Sequence, residues 1–256
     1  EGLKVHNTLV VSDEGVPLGL IGQKVWAREK MRRSKGYQER IRKIEEKESY
    51  RWIESLRATQ EIISEETEVI TICDREGDIF ELLSEPRRKG SELIIRAAQD
   101  RNIRKNPERV GLFAELEEIE EMGAMNLQLQ RTPKRKEREA KLILKWKTVE
   151  IQPPHNKPNY KEMQPMTVQV IVAEEVGCPE GEKAVKWILL TTLPVESPED
   201  VQKILKYYTY RWLIERYHYV LKSGCKIEEL MLEKGERLEK ALATYSIIAW
   251  RILWLR

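Results

Sequence analysis

The sequence has few of the residues that build metal clusters or disulfide frameworks. Its 256 residues include three cysteines and three histidines. Cys73, Cys178 and Cys225 are far apart, and no CxxC pair occurs. Zinc ribbons and disulfide-stapled secreted domains need cysteines at short, regular spacings. Neither class is indicated, and free or buried thiols in a reducing cytoplasm are expected.

Long apolar runs and a global charge excess are also lacking. No apolar segment approaches the roughly 20 residues that a membrane-spanning helix needs, and the chain does not open with a basic and then apolar targeting segment. Lysine and arginine total 45 against 43 acidic residues, so any surface for nucleic acid must be local. The sequence therefore predicts no membrane contact, and its length allows a sizeable core.

A predicted helix after residue 197 carries the most informative residues. Ser197 is a typical N-cap, Pro198 fits the first helical position, and Glu199 and Asp200 favour the positive end of the helix dipole. At about 100° per residue, four polar positions fall within a sector of about 60°. They are Tyr208, Arg211, Glu215 and Lys222. Apolar and aromatic residues fill most of the remaining surface, which predicts a largely buried helix.

The carboxylate of Glu215 has two explanations. An isolated charge is costly to remove from water, so a buried Glu215 needs a partner. Arg211 lies four residues earlier, and helices commonly form ion pairs at that spacing. The other explanation is a role in chemistry. This helix alone does not decide between them.

A second acidic residue follows a predicted strand. The short apolar run Val69–Cys73 stops at Asp74, and Gly77 allows a turn before a predicted helix at residues 78–83. Strand ends are where open α/β sheets place chemistry. Asp74 and Glu215 can coordinate the same divalent cations, because Mg²⁺ binds a few carboxylates and keeps water and phosphate oxygens as its other ligands.

These residues resemble a known family, the bacterial insertion-sequence transposases of the IS-four group. That group has an RNase H-like DDE catalytic domain with a YREK signature and includes the transposase of transposon Tn-five. The signature is matched by Tyr208, Arg211, Glu215 and Lys222. Residues 74–79 are similar to the block around the family's second catalytic aspartate, and residues 6–20 and 186–192 are similar to two strand segments of its core. The resemblance spans nearly the whole chain.

The resemblance implies an α/β fold with an RNase H-like core, in which a mixed sheet is flanked by helices and interrupted by an antiparallel β-rich insertion. Alternation of apolar residues at period two indicates the same insertion independently. The predicted division is residues 1–97 for the first part of the core, 98–196 for the insertion subdomain, and 197–256 for the catalytic helix and a last helix at 237–255.

Several elements are predicted within residues 1–97. Residues 24–47 are highly charged and are expected to form a connector or a solvated helix. The others are strands at residues 3–11 and 17–21 joined by a turn at Asp13-Glu14-Gly15, a helix at residues 49–63, and strands at residues 69–73 and 93–97.

The resemblance also implies an activity and its ligands. Asp74 and Glu215 would be catalytic ligands of two Mg²⁺ ions, with Mn²⁺ as a substitute, in two-metal phosphoryl transfer. Arg211 and Lys222 would hold phosphates of the DNA, and Tyr208 would offer its hydroxyl. The partners would be double-stranded DNA, as transposon terminal repeats and target, and a second copy in a homodimeric synaptic complex. The location would be the bacterial cytoplasm, associated with the nucleoid.

Further DNA contacts are predicted from the resemblance and from charge. The resemblance places Arg96 and Trp187 against transposon ends, with a flipped base stacked on the indole; an ordinary core tryptophan is the alternative.

Basic residues also cluster twice and could contact phosphates. The first cluster comprises Arg131, Lys134, Arg135, Lys136, Arg138, Lys141, Lys145 and Lys147, for which a solvated strand face paired with the acidic run 115–121 is the alternative. The second comprises Arg87, Arg88, Lys89, Arg96, Arg101, Arg104 and Lys105.

The chain departs from the family pattern at the first acid. A DDE site needs an aspartate on a strand before the early strand pair, and the nearest candidate, Asp13, falls in a predicted turn. The first residue is Glu1 rather than Met. We therefore expect part of a longer transposase, poorly soluble and inactive alone, with its first aspartate and central strand upstream. The alternatives are an inactive remnant that binds only DNA or a full-length partner, and a different RNase H-like nuclease.

Overall fold

The computed structural model describes residues 3–27, 42–105, 108–130, 136–157, 159–230, 232 and 234–255. The strands of these residues are β1 (Leu3–Val11), β2 (Pro17–Ala27), β3 (Val69–Cys73), β4 (Ser91–Arg96), β5 (Asn102–Lys105), β6 (Glu108–Gly111), β7 (Gly123–Leu129), β8 (Arg138–Ile151), β9 (Met166–Val176) and β10 (Lys186–Thr191). The α-helices are α1 (Tyr50–Ile62), α2 (Phe80–Leu83), α3 (Leu112–Glu117), α4 (Pro198–Thr209), α5 (Trp212–Tyr219) and α6 (Gly235–Trp254).

The chain divides into two compact units. The hairpin unit comprises Glu1–Ser64 and Tyr207–Arg256, and the sheet unit comprises Glu65–Lys206. No helix in the described ranges is both long and apolar enough to cross a membrane.

The hairpin unit takes its name from β1 and β2, which pair antiparallel as a two-stranded sheet. Their turn contains Gly15 at a φ of 90°, a conformation that favours glycine. A Cβ atom at Gly15 would also lie 2.8 Å from the ring of Tyr210. The predicted hairpin is confirmed, although β2 continues to Ala27 instead of ending at residue 21. Residues 28–41 of the predicted charged connector lie outside the described residues.

The core of the hairpin unit forms between the hairpin and the C-terminal helix. Buried residues of α6 recur on one face, at Leu242, Ala249 and Leu253. Side chains from both strands, including Val5 and Leu20, pack against this cluster. Each fully buried aliphatic side chain contributes about 1.5–3 kcal/mol relative to an exposed one. The predicted last helix and the predicted helix at residues 49–63 both form, as α6 and α1.

The sheet unit is built on one mixed sheet of eight strands. Their order is β3-β4-β10-β9-β8-β5-β6, and β7 pairs with β8. β3 and β4 are parallel, and the remaining pairs are antiparallel. The predicted α/β class, with a mixed sheet and flanking helices, is confirmed. Because β4 pairs directly with β10, strands from residues 98–196 continue the sheet of β3, and the separate insertion subdomain and the three-part division stay predictions.

Candidate active site

Asp74 ends β3 and begins a tight turn. The strand occupies the predicted residues, and Asp74 caps a 3-10 turn at Arg75–Gly77 by accepting a hydrogen bond at Oδ1 from the amide of Glu76, at 2.8 Å. Its other oxygen, Oδ2, accepts no hydrogen bond within the part of the chain that the structure describes. The carboxylate is partly exposed. One oxygen is therefore held in place and the other is available to a cation, which fits the donor chemistry of Mg²⁺.

Cys73 precedes this acid and is chemically quiet. The side chain is buried, and burial, helped by the neighbouring Asp74 charge, raises the pKa of the thiol well above its usual range. The thiolate is the reactive form of cysteine. Cys73 is therefore a core residue of the sheet.

Asp78 resembles Asp74 in sequence and differs from it in structure. It is 3% exposed, and its Oδ2 accepts hydrogen bonds from the amides of Ala98 and Gln99, at 2.6 and 2.8 Å. Its Oδ1 accepts two more from the guanidinium of Arg101. Both oxygens are therefore engaged, and Asp78 has no capacity left for a cation. The predicted helix at residues 78–83 begins only at Phe80, because the 3-10 turn occupies the residues before it.

Arg96 and Trp187 lie at the same end of the sheet as Asp74. Cys73 pairs with Ile95 in the parallel ladder, so Asp74 and Arg96 each follow a paired residue at the carboxyl end of their strands. β10 runs antiparallel to β4, which brings its first residues to this end. Arg96 donates a hydrogen bond to the carbonyl of Lys186 at 3.1 Å. The indole of Trp187 is only 9% exposed, as an ordinary core tryptophan would be.

The helix predicted to carry Tyr208, Arg211, Glu215 and Lys222 is not continuous. α4 ends at Thr209, α5 begins at Trp212, and a π-helix follows at Val220–Gly224. Between α4 and α5 the amides of Tyr210 and Arg211 bond to carbonyls three residues earlier. The prediction of one continuous helix is therefore wrong, because both the tightened turn and the π-helix depart from about 100° per residue. The sharing of one face by the four residues stays a prediction.

A tertiary contact accompanies this break. Tyr210, at the break, donates its hydroxyl to the carbonyl of Asp13 at 3.1 Å and packs against Gly15 in the hairpin turn. Periodicity within a helix cannot report a contact with a turn almost 200 residues away in sequence. The start of α4 follows the prediction, since Ser197 Oγ accepts from the amide of Asp200 at 3.2 Å and Pro198 is the first helical residue.

Arg211 and Glu215 form an ion pair at i,i+4 spacing, which is the first of the two explanations for the Glu215 carboxylate. Nη1 of Arg211 donates to Oε1 of Glu215 at 2.5 Å. The guanidinium carbon lies 5.9 Å from the ring of Tyr208 and 5.0 Å from that of Trp212. Burial lowers the pKa of Arg211, but the hydrogen bond to Glu215 and the electrostatic interactions with Tyr208 and Glu215 outweigh it, so the net pKa is raised. Oε2 of Glu215 accepts no hydrogen bond in the described ranges and remains available to a ligand.

Tyr208 and Lys222, the first and last of the four predicted residues, differ in accessibility. Tyr208 is 2% exposed, so its hydroxyl is covered in this structure. Lys222, in the π-helix, pairs with Glu228 at 2.8 Å, and both side chains are more than half exposed. An exposed pair of this kind contributes little to stability. Lys222 can therefore exchange Glu228 for a phosphate at small cost.

The prediction of a largely buried helix is also wrong in part, because Trp212 and Tyr219 are exposed.

A polar network beside Glu215 was not predicted. Gln23 Nε2 donates to Oδ1 of Asn7 and to Oγ of Ser246, both at 2.8 Å. Because the Asn7 oxygen is used in this way, its Nδ2 donates to Nε2 of His218 at 3.1 Å. The network joins the hairpin, α5 and α6. Asn7 lies in the segment that resembles an early strand pair, but no spacing in the sequence links it to His218.

The stability of the chain is expected to depend on His218 at mildly acidic pH. Burial, and then the charge of Lys222, lower the pKa of His218 below its ordinary value of 6.5, against a smaller opposing effect of Glu215. As the pH falls below about 6.5, unfolded His218 takes up a proton that the folded chain resists, so stability is lost. Urea unfolding of the wild type and of His218→Gln at about pH 5 and about pH 8 measures this. The loss on acidification should be smaller in the variant, and equal losses would contradict the assignment.

The two basic clusters have different environments. In the second, Arg87 and Arg88 donate to backbone carbonyls, including those of Leu83 and Thr67, while Arg101 and Arg104 pair with Asp78 and Glu150. These side chains are largely engaged within the fold. In the first, Arg131, Lys134 and Arg135 lie outside the described residues, and Arg138 and Lys147 pair with Glu175 and Glu115. Lys141 and Lys145 of β8 form no ion pair within the described ranges.

Comparison with known families decides the class of this protein. A family model described as a transposase DDE domain matches residues 35–251, which is most of the chain. The chain belongs to the transposase DDE domain family. Membership implies nuclease and strand-transferase activity on DNA, and DDE transposase domains generally use divalent metal ions.

The matched range includes two of the three acids considered for the DDE site and excludes the third. Asp74 and Glu215 both lie within the matched range, the first in the sheet unit and the second in the hairpin unit. Asp13 lies outside that range, in the turn of the hairpin, and is exposed. Among the described residues, no group of three or more acidic, histidine or cysteine side chains is positioned to hold a metal.

Proposed function

We propose that this DDE domain catalyses cut-and-paste transposition as a YREK transposase of the IS-four group, by nicking DNA at transposon ends and transferring the strands into target DNA. The observation that carries the proposal is Asp74, which follows a sheet strand with one oxygen fixed and one available, in a chain of this family. The YREK spacing supports the subgroup. Synapsis as a homodimer belongs to the same proposal.

Asp74 and Glu215 are the proposed metal ligands. Among the residues that the structure describes, each has one carboxylate oxygen bonded to a protein donor and one without such a bond. Two bound Mg²⁺ ions, for which Mn²⁺ can substitute, would activate the attacking oxygen and stabilise the leaving oxygen. The backbone amide of Glu76 and the guanidinium of Arg211 orient the two carboxylates.

Several side chains are proposed to bind the DNA backbone. Arg211 would exchange part of its contact with Glu215 for a phosphate, and Lys222 would exchange Glu228. Arg96 lies at the same end of the sheet as Asp74. Stacking of a flipped base on Trp187, and a contact from the Tyr208 hydroxyl, stay predictions, because both side chains are buried and must be uncovered first.

A third carboxylate is needed for a complete DDE site, and we propose that Asp13 does not supply it. Asp13 is at an exposed hairpin tip, where its carbonyl accepts from Tyr210. It does not end a strand of a sheet as Asp74 does. Under this proposal the 256 residues alone are inactive, and a longer reading frame that supplies an aspartate on a further strand is active. The second candidate, an inactive remnant that binds DNA, rests on the same observation.

The test is DNA cleavage by the longest reading frame that contains the chain. Supercoiled plasmid carrying the flanking ends of the element is incubated with Mg²⁺, with Mn²⁺, or with a chelator. The proposal predicts nicked and then excised products with either metal and none with the chelator. DNA binding without cleavage in any metal would support the remnant, and neither binding nor cleavage would contradict both functions.

A further inference from the structure

The acid Asp78 and its partner Arg101 form a buried ion pair with several hydrogen bonds in the sheet unit. The side chains are 0% and 8% exposed. Arg101 donates to Oδ1 of Asp78 through Nε at 3.0 Å and through a second nitrogen, and that second nitrogen also donates to the Asp78 carbonyl at 2.8 Å. A buried pair with this many bonds is costly to disturb on either side. Its position explains why such a group is present.

The pair joins two segments at the carboxyl end of the β3–β4 strand pair. Asp78 closes the turn that starts at Asp74, and its Oδ2 holds the amides of Ala98 and Gln99, just past the end of β4. Within the turn, the amide of Gly77 donates to the Asp74 carbonyl at 3.1 Å and the amide of Asp78 donates to the Arg75 carbonyl at 3.3 Å. The Asp78 carboxylate therefore bonds the end of the turn to the segment that follows β4.

Arg101 is itself anchored in the sheet. Its carbonyl accepts from the amide of Leu112 at 2.8 Å, at the start of α3. The next residue, Asn102, begins β5, and its carbonyl accepts from Gln152 at 2.8 Å. The guanidinium is therefore held by a fixed backbone, and the orientation of the Asp74 turn is set by strands other than its own.

We infer that Asp78 and Arg101 are positioning residues for the metal ligand Asp74. They hold the downstream end of its turn while the ladder with β4 holds the upstream end. The carboxylate is thereby presented beside Arg96 in one orientation. Neither residue contacts the metal or the DNA. This inference rests on the proposed function, because it assumes that Asp74 binds the cation.

A second buried pair in the same unit provides a matched control. Glu175 has 1% of its side chain exposed, accepts two bonds from Arg138, and accepts the amide of Val185 at 2.9 Å. It has the same partners as Asp78, a guanidinium and a backbone amide. Its strand, β9, is separated from β3 by β4 and β10. Loss of either pair should lower thermal stability, but only one of them orients Asp74.

The test compares Asp78→Asn with Glu175→Gln in the longest reading frame that contains the chain. Binding of Mn²⁺ is measured from the loss of the free-ion signal in electron paramagnetic resonance, and the Mg²⁺ concentration for half-maximal nicking is measured in parallel. Asp78→Asn should weaken metal binding by about tenfold or more, as is typical when residues behind a metal ligand are lost. Glu175→Gln should leave metal binding unchanged while lowering the melting temperature.

Arg101→Lys provides a milder second variant, because a lysine keeps the charge but cannot bond Oδ1 and the Asp78 carbonyl as the planar fork does. It should fold and weaken Mn²⁺ binding less than Asp78→Asn. If both variants bind Mn²⁺ as the wild type does and only melt earlier, as Glu175→Gln does, the pair is purely structural and the inference is overturned. A wild type that neither binds Mn²⁺ nor cleaves would overturn the proposed function, and the inference with it.

Discussion

Replacing Asp74 by asparagine in the longest reading frame that contains the chain is expected to reduce Mg²⁺-dependent strand cleavage by about a thousandfold, because a lost metal ligand removes several kcal/mol of transition-state stabilisation. Asparagine keeps the size of the side chain and can still accept the Glu76 amide at its oxygen. The turn should therefore remain folded. Single-turnover cleavage of end-containing DNA measures the rate, and a melting curve checks the fold.

The control for this variant is Glu76→Gln. It removes a negative charge two residues away but keeps the backbone amide that bonds Asp74. Its cleavage rate should stay close to the wild-type rate, whereas Glu215→Gln should lose activity as Asp74→Asn does. Equal activity of the Asp74→Asn variant and the wild type would remove Asp74 from the metal site.

Arg211→Gln is expected to weaken binding to transposon-end DNA by about tenfold, because a charge-assisted hydrogen bond to a phosphate contributes about 1.5–3 kcal/mol and part of this is offset by release of Glu215. The slope of log K against log salt should fall by about 1. The variant should also melt earlier, since the Arg211 side chain is only 14% exposed and its guanidinium lies near the rings of Tyr208 and Trp212.

Lys240→Gln is the matched control for Arg211→Gln. Lys240 forms the same i,i+4 pair with an acid, Glu236, at 2.7 Å, but both side chains are largely exposed on α6. It should change neither the affinity nor the salt slope. If Arg211→Gln also leaves both unchanged and only lowers the melting temperature, the ion pair with Glu215 is the whole role of Arg211.

Much of the fold was accessible from the sequence because its elements are locally encoded. The apolar run that stops at Asp74, the alternation in β7, β8 and β9, and the cap at Ser197 each predict one element from nearby residues. Their pairing was less accessible. The direct contact of β4 with β10 joins residues almost 100 apart, so only the structure shows that the strands after residue 98 extend the same sheet.

The local geometry around the candidate site residues was not predictable from the sequence. A regular helix was assumed from Tyr208 to Lys222, but the contact of Tyr210 with the hairpin turn accompanies a break, and a π-helix follows. Asp74 and Asp78 are alike in the sequence. Burial and the four bonds to Asp78 separate them, because a carboxylate whose oxygens are already engaged cannot also bind a cation.

The central proposal is that Asp74 and Glu215 are ligands of the same divalent metal ions. Fe²⁺ bound in place of Mg²⁺ reduces added hydrogen peroxide to hydroxide and a hydroxyl radical, and is itself oxidised to Fe³⁺. The radical cuts the polypeptide next to the ligands, and mass spectrometry locates the cuts. We predict cuts beside both Asp74 and Glu215, suppressed by excess Mg²⁺ and lost together in Asp74→Asn. Cuts beside only one of the two acids, or cuts that Mg²⁺ does not suppress, would contradict a shared metal site.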